Sequence, residues 1–130
     1  MKITRRQILE SKEAMTSIVN REFSITGHVL PTLARLYTVY VEQIKALEIH
    51  NNALLSKLGQ RDAEKNVFYI RPEDANFKTY VDERNAYMAE GVDAGVESIR
   101  LTDLKAMDIK LKPFELADLA AAGVISVNYP

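Results

Sequence analysis

Leu30, Leu33, Tyr37, Tyr40, Ile44, Leu47, Asn51, Leu54 and Leu58 are separated alternately by 3 and 4 residues, an unbroken heptad stripe with one polar member. That alternation places all nine side chains on one face of a helix. Pro31 suits the first turn, where its missing N–H costs nothing, and Gly59 stands where a helix ends. At 1.5 Å per residue the helix from Leu30 to Leu58 is about 43 Å long. A compact chain of 130 residues has a radius of gyration of about 14 Å, a sphere roughly 36 Å across. A straight helix of this length therefore protrudes, bends, or is covered by another chain.

The stripe is also too wide for a pair of helices. With Leu30, Tyr37, Ile44, Asn51 and Leu58 as a positions, the flanking e and g positions include Ala34, Leu36, Val41 and Leu55, apolar where a dimeric coiled coil carries charge. Val39 lies outside the seam too, so residues 33–41 are apolar nearly all round and are contacted from several directions. A preceding helix covers part of that surface, and the rest falls to the C-terminal half or a second subunit. Asn51 admits two readings: an amide that fixes register and oligomer state within the seam, or a solvated residue beyond the core, beside His50 and Asn52.

The spacing predicts a first helix over 5–21, capped by Thr4 with Gln7 reaching back to it, and apolar at Ile8, Met15, Ile18, Val19 and Phe23. Residues 24–28 read as the turn, with Gly27 supplying backbone freedom. After Gly59 the charged run 60–66 reads as a loop and Val67 to Ile70 as a short β-type run. A third helix opens at Pro72, Glu73 and Asp74, carries Phe77, Tyr80, Val81, Arg84, Tyr87 and Met88 on an aromatic face, and stops at Gly91. Residues 95–101 and 108–112 read as strands joined by 102–107. A last helix runs from Pro113 to Gly123 with Phe114, Leu116, Ala117 and Leu119 inward, and 124–130 is a mixed tail.

The expected fold is thus α+β and mostly helical, one domain over 1–130. A long N-terminal helical hairpin (1–59) packs on a small C-terminal portion (60–130) with short β-strands and two helices.

Composition narrows the chemistry. Seventeen Lys+Arg against 18 Asp+Glu give a net charge of -1, which argues against nucleic-acid binding driven by phosphate charge. Residues 1–65 carry 10 basic and 7 acidic side chains and residues 66–130 carry 7 and 11, a mild dipole rather than a basic patch. Without cysteine there is no thiolate metal site and no thiol nucleophile. The two histidines, His28 and His50, are 22 residues apart and read as a turn residue and a helix-flank residue, which argues against a catalytic zinc site. Residues 1–10 are charged where a secretory leader is apolar, and no run is long enough to span a bilayer, so a cytoplasmic location is expected.

The acidic pairs Glu73–Asp74, Asp82–Glu83 and Glu90–Asp93 read as first-turn charges and solvated faces, since neighbours on a helix diverge by about 100°. Tyr37, Tyr40, Tyr69, Tyr80, Tyr87 and Tyr129, interleaved with Arg35, Arg71 and Arg84, offer flat faces to a nucleobase, although the heptad spacing of Tyr37 and Tyr40 favours packing. No glycine-rich phosphate loop, nucleophile elbow or triad is present, and no cofactor is expected.

The segment 53–59 (ALLSKLG), the run 67–70 (VFYI), and the segments 97–104 (ESIRLTDL) and 111–119 (LKPFELADL) resemble the hairpin end, β-run and closing region of small phage-encoded proteins of unknown function. The resemblance implies a viral accessory setting in the host cytoplasm, and supplies no catalytic residues.

The expected function is a non-catalytic interaction protein. It self-associates or docks a protein partner through Leu33, Tyr37, Tyr40, Ile44, Leu47, Asn51 and Leu54. The alternative is an inhibitor that sequesters a host protein or a nucleotide on a Tyr/Arg surface. Leu47→Glu separates an outer seam, where it frees folded monomers, from an internal one, where it unfolds the chain.

Overall fold

The computed structural model describes residues 1–22, 29–106 and 108–127. The expected turn 24–28 with Gly27 and His28, and the placements of Phe23, Met107 and Tyr129, lie outside the described residues. In chain order the elements are β1 (Lys2–Thr4), α1 (Arg5–Glu22), α2 (Val29–Leu58), β2 (Gln60–Asp62), β3 (Val67–Tyr69), α3 (Phe77–Ala89), β4 (Gly91–Asp93), β5 (Ile99–Arg100), α4 (Leu101–Ala106), α5 (Pro113–Ala121) and β6 (Ile125–Ser126). The protein is a mostly helical α+β fold.

The capping box at Thr4 forms as the sequence predicts. The Gln7 N–H donates to Thr4 Oγ1 at 3.1 Å, and the Thr4 N–H donates to Gln7 Oε1 at 2.9 Å. α1 then buries Ile8, Ser11, Ala14, Met15 and Ile18, a stripe wide enough to meet neighbours on two sides. On one side is α2, running antiparallel, with Tyr40 level with Ser11 and Gln43 level with Arg5. On the other is α5, joined through Ser17, Arg21 and Glu115.

The length of α2 is resolved within the chain. α1 covers its first half as far as Gln43. The second half is covered by the aromatic face of α3, where the Tyr80 hydroxyl donates to Asn51 Oδ1 and Tyr87 stacks on His50. Leu33, Leu36, Tyr40, Leu47 and Leu54 are consequently buried in a single copy. The Tyr40 hydroxyl lies 2.7 Å from Ser11 Oγ, which donates onward to the Gln7 carbonyl at 2.6 Å. Burial pushes the Tyr40 phenol above its ordinary 10, against the smaller opposing effect of Ser11. Tyr40→Phe is expected to cost about 1 kcal/mol, the net value of one buried neutral hydrogen bond, read as a shift in urea midpoint at unchanged slope.

Among the described residues three two-stranded sheets tie the helices together. β1 pairs antiparallel with β4 (Ile3 opposite Val92), β2 with β3 (Arg61 opposite Phe68), and β5 runs parallel to β6 (Ile99 opposite Ile125). The core is continuous from Ile3 and Ile8 through Leu36 and Tyr40 to Leu104, Leu119 and Val124.

Several sequence expectations are corrected. The run 60–66, expected as a loop, contributes β2 and the turn of a hairpin. It closes tightly on α2, because a Cβ on Gly59 would lie 2.5 Å from the Tyr69 carbonyl oxygen. The third helix starts at Phe77 rather than at Pro72. Asp74 instead holds the turn before it, accepting from the Arg71 N–H at 2.9 Å and from Gln60 Nε2 at 3.2 Å.

Among the described residues the C-terminal portion holds three helices, not two, since the expected linker 102–107 contributes to α4. The segment 108–112 is not a strand. Asp108 (φ 58°) terminates α4, and the Lys110 carbonyl accepts from Arg21 Nη2 at 3.0 Å instead of from a neighbouring strand. In α5 Leu119 is buried as expected, but Phe114 and Ala117 are exposed and Glu115 takes the inward place. α5 ends at Gly123 (φ 77°), and the N–H of Val124 returns to the Leu119 carbonyl at 2.9 Å.

Candidate functional site

Burial of most of the heptad seam leaves the flank of α2 beside it as the surface to consider. Among the described residues the exposed large hydrophobic side chains are Val41 (48%), Ile49 (60%), Val67 (50%), Phe68 (41%) and Phe114 (43%). Four of these five lie on the outer side of α2 or on the hairpin beside it. Tyr37, Val41, Glu48, Asn52 and Leu55 recur at helical spacing and form one strip along α2. At one end the strip borders a groove of about 260 Å³, floored by Tyr37, Val41 and Ile44 and rimmed by Lys12 and Thr16 of α1 with Lys45 and Glu48 of α2. At the other end it borders a second groove of about 390 Å³, between Asn52, Leu55, Asn66, Val67 and Phe68. Lys12, Lys45 and Glu48 form no hydrogen bond or ion pair among the described residues.

The residues expected to form an interface divide between the two sides of α2. Leu33, Tyr40, Leu47 and Leu54 are closed off by α1 and α3 of the same chain. Tyr37 and Ile44 are half-buried and reach the groove. Asn51 is neither an unpaired seam amide nor solvated, because Tyr80 of α3 satisfies its carbonyl oxygen. Val41 and Leu55, which made the seam look too wide, belong to the outer strip. The sequence signal for that strip was Val41 together with Leu55, apolar residues at the positions that flank the heptad seam. They were legible as unpartnered only once α3 was seen to cover the other face.

A second cluster joins α1, α2 and α3. The Arg5 guanidinium carbon lies 3.8 Å from the centre of the Tyr87 ring, and the His50 ring stacks on Tyr87 at 3.9 Å with 7° between planes. Two groups at that distance cannot share one face, so Tyr87 is closed on both sides. Arg5 Nη1 also donates to Glu90 Oε2 at 2.6 Å and to the Tyr87 carbonyl at 3.2 Å, and Arg5 Nε to Gln43 Oε1 at 3.0 Å. His50 Nδ1 is buried without a hydrogen-bond partner. Glu90 lies on a solvated face as expected, 61% exposed, and pairs with Arg5 from there.

For a base-stacking surface, Tyr40 and Tyr87 have no free face. Tyr69 is half-buried, with the Arg71 guanidinium carbon 5.2 Å from its ring centre. Among the described residues no three His, Cys, Asp or Glu side chains converge as a metal site would require, and no helix is long and apolar enough to cross a membrane.

Glu115 is the most strongly perturbed group. Its carboxylate is fully buried and accepts from Arg21 Nη1 and Nη2 at 2.9 and 2.7 Å, Ser17 Oγ at 2.6 Å and the Lys112 N–H at 2.7 Å. Burial pushes its pKa up, but the Arg21 guanidinium, the Ser17 hydroxyl and the Lys112 N–H together hold it down at about 2. All its acceptor positions face partners of its own chain, which is the arrangement of a structural clamp between α1 and α5.

The chain matches no protein-family model, no curated protein and no solved structure.

Proposed function

We propose that this is a non-catalytic interaction protein whose working surface is the outer strip of α2 with the adjoining β2–β3 hairpin. The observation that carries the reading is that exposed Val41 borders the groove at one end of the strip and exposed Val67 and Phe68 border the groove at the other, each at least 41% exposed. Large apolar side chains scattered singly over a surface need no partner, but a contiguous set beside concave surface marks a contact site. The perturbed and buried polar groups do not compete with this reading. Glu115, Arg5 and Tyr40 all face partners of the same chain.

A viral accessory role in a host cytoplasm is the setting we propose with it, on the sequence resemblance alone. Sequestering a host protein would use the same strip, and no specific observation favours a nucleotide.

The test is a photo-activatable side chain placed at Val41, at Phe68 and, as a control on α5, at Phe114, in the cell that naturally makes the protein. Covalent protein adducts are expected from positions 41 and 68 and not from 114. Absence of adducts from both 41 and 68 overturns the reading.

A further inference from the structure

We propose that the partner covering the outer strip is a second copy of this chain, placed antiparallel about a two-fold axis that lies in the interface at right angles to α2, level with the midpoint between Lys45 and Glu48. The proposal rests on the reading of the strip as a contact site and names its occupant.

The charges come first. Lys45 and Glu48 are three residues apart on α2, both on the rim of the same groove, and neither finds a partner among the described residues. An antiparallel two-fold centred midway between them sets each Lys45 against Glu48 of the second copy. It thereby makes two reciprocal ion pairs from side chains that one copy leaves unpaired. Isologous pairing of this kind closes on itself and stops at two copies. The net charge of -1 leaves no long-range repulsion between them.

Shape follows from the same operation. Val41 and Asn52 are equally distant in sequence from the proposed centre, so the axis exchanges the two ends of the strip. The hairpin that stands beside Asn52 and Leu55 in one copy comes to the groove beside Tyr37 and Val41 in the other. Exposed Val67 and Phe68 thus meet a floor of Tyr37, Val41 and Ile44, once at each end of the dimer. Knob and groove are separate features of one chain, and a single rotation brings them together twice.

The extent is modest. The strip from Tyr37 to Leu55 is about 27 Å long and, with α1 and the hairpin as flanks, about two helix diameters or roughly 22 Å wide, so each copy loses about 600 Å². The total of about 1,200 Å² is at the lower end for a specific complex. The expected dimer is reversible and dissociates on dilution.

Sedimentation equilibrium over a wide concentration range tests this directly. The mass is expected to rise from 14.7 kDa to twice that value and no further. Lys45→Glu and Glu48→Lys each place like charges across the axis and are expected to raise the dissociation constant at least about tenfold. The double variant Lys45→Glu/Glu48→Lys is expected to return within about threefold of the original. Both positions are exposed, so circular dichroism should show all three variants folded.

A mass of 14.7 kDa at every concentration, a mass that climbs beyond two chains, or a double variant that stays monomeric overturns the proposal. A monomer that still yields adducts with a different protein from positions 41 and 68 removes the second copy and keeps the contact site. Absence of adducts removes both.

Discussion

Glu115→Gln is expected to destabilise the protein by about 3 kcal/mol at neutral pH, the scale for breaking a buried ion pair from one side. The amide keeps the shape but not the charge. Arg21, which now shares its guanidinium across both carboxylate oxygens and the Lys110 carbonyl, would face a neutral group. The sign of the pH dependence follows from the depressed pKa. Glu115 falls from an ordinary 4.5 to about 2 in the folded chain, so the folded state holds the ionised form more firmly than the unfolded one does. Its contribution, about 3 kcal/mol for a shift of that size, is complete above about pH 5 and is lost as pH falls toward 2. Urea unfolding of both proteins at neutral pH and near pH 2.5 checks this. The gap between them should narrow in acid, and a gap that stays constant would show that the carboxylate charge is not what matters.

Leu47→Glu is expected to have the largest effect of all, loss of the cooperative fold. Leu47 is 5% exposed and lies on the half of α2 that α3 covers. The substitution removes about 2 kcal/mol of apolar burial and adds a carboxylate with no partner, so the combined cost is roughly 4 kcal/mol or more. For a chain of this length that is a large share of the total stability. Val41→Glu, six residues away on the outer strip, is the comparison: its thermal midpoint should stay close to that of the parent. Melting followed by circular dichroism separates the two, and a well-folded Leu47→Glu monomer would mean that α3 does not cover the seam as described.

Apart from α4, which reads as a linker, and the start of α3, the helices were legible because their signals are local. Thr4 with Gln7 marked the start of α1, Pro31 and Gly59 bracketed α2, and Gly123 ended the last helix. The aromatic face of α3 was also readable from spacing, although not its target. The short strands were less legible. Lys2–Thr4 and Ile125–Ser126 are 3 and 2 residues long, too short for alternation to register, and each is defined by a partner far along the chain. Asp108 to Lys112 shows the opposite failure. Its alternation of Ile109 and Leu111 with charges is a strand pattern, yet its carbonyl at Lys110 goes to Arg21.

The candidate site was misplaced for a related reason. A heptad seam shows which face of a helix is apolar but not whose side chains cover it. Once α1 and Tyr80 and Tyr87 of α3 cover the seam, the surface left for other molecules is its flank, where Tyr37 and Ile44 meet Val41.

The clamp between Arg21 and Glu115 also bears on the order in which the molecule is made. It joins positions 94 residues apart, and the Met1 amine reaches the Val96 carbonyl across 95. A nascent chain from which α1 and α2 have emerged still lacks α5, which packs on the other side of α1. Helix-rich proteins usually fold fast because their contacts are local. Here the flank of α1 that carries Ser17 and Arg21 waits for the last quarter of translation, and that bare flank is where a ribosome-associated chaperone would first find something to hold.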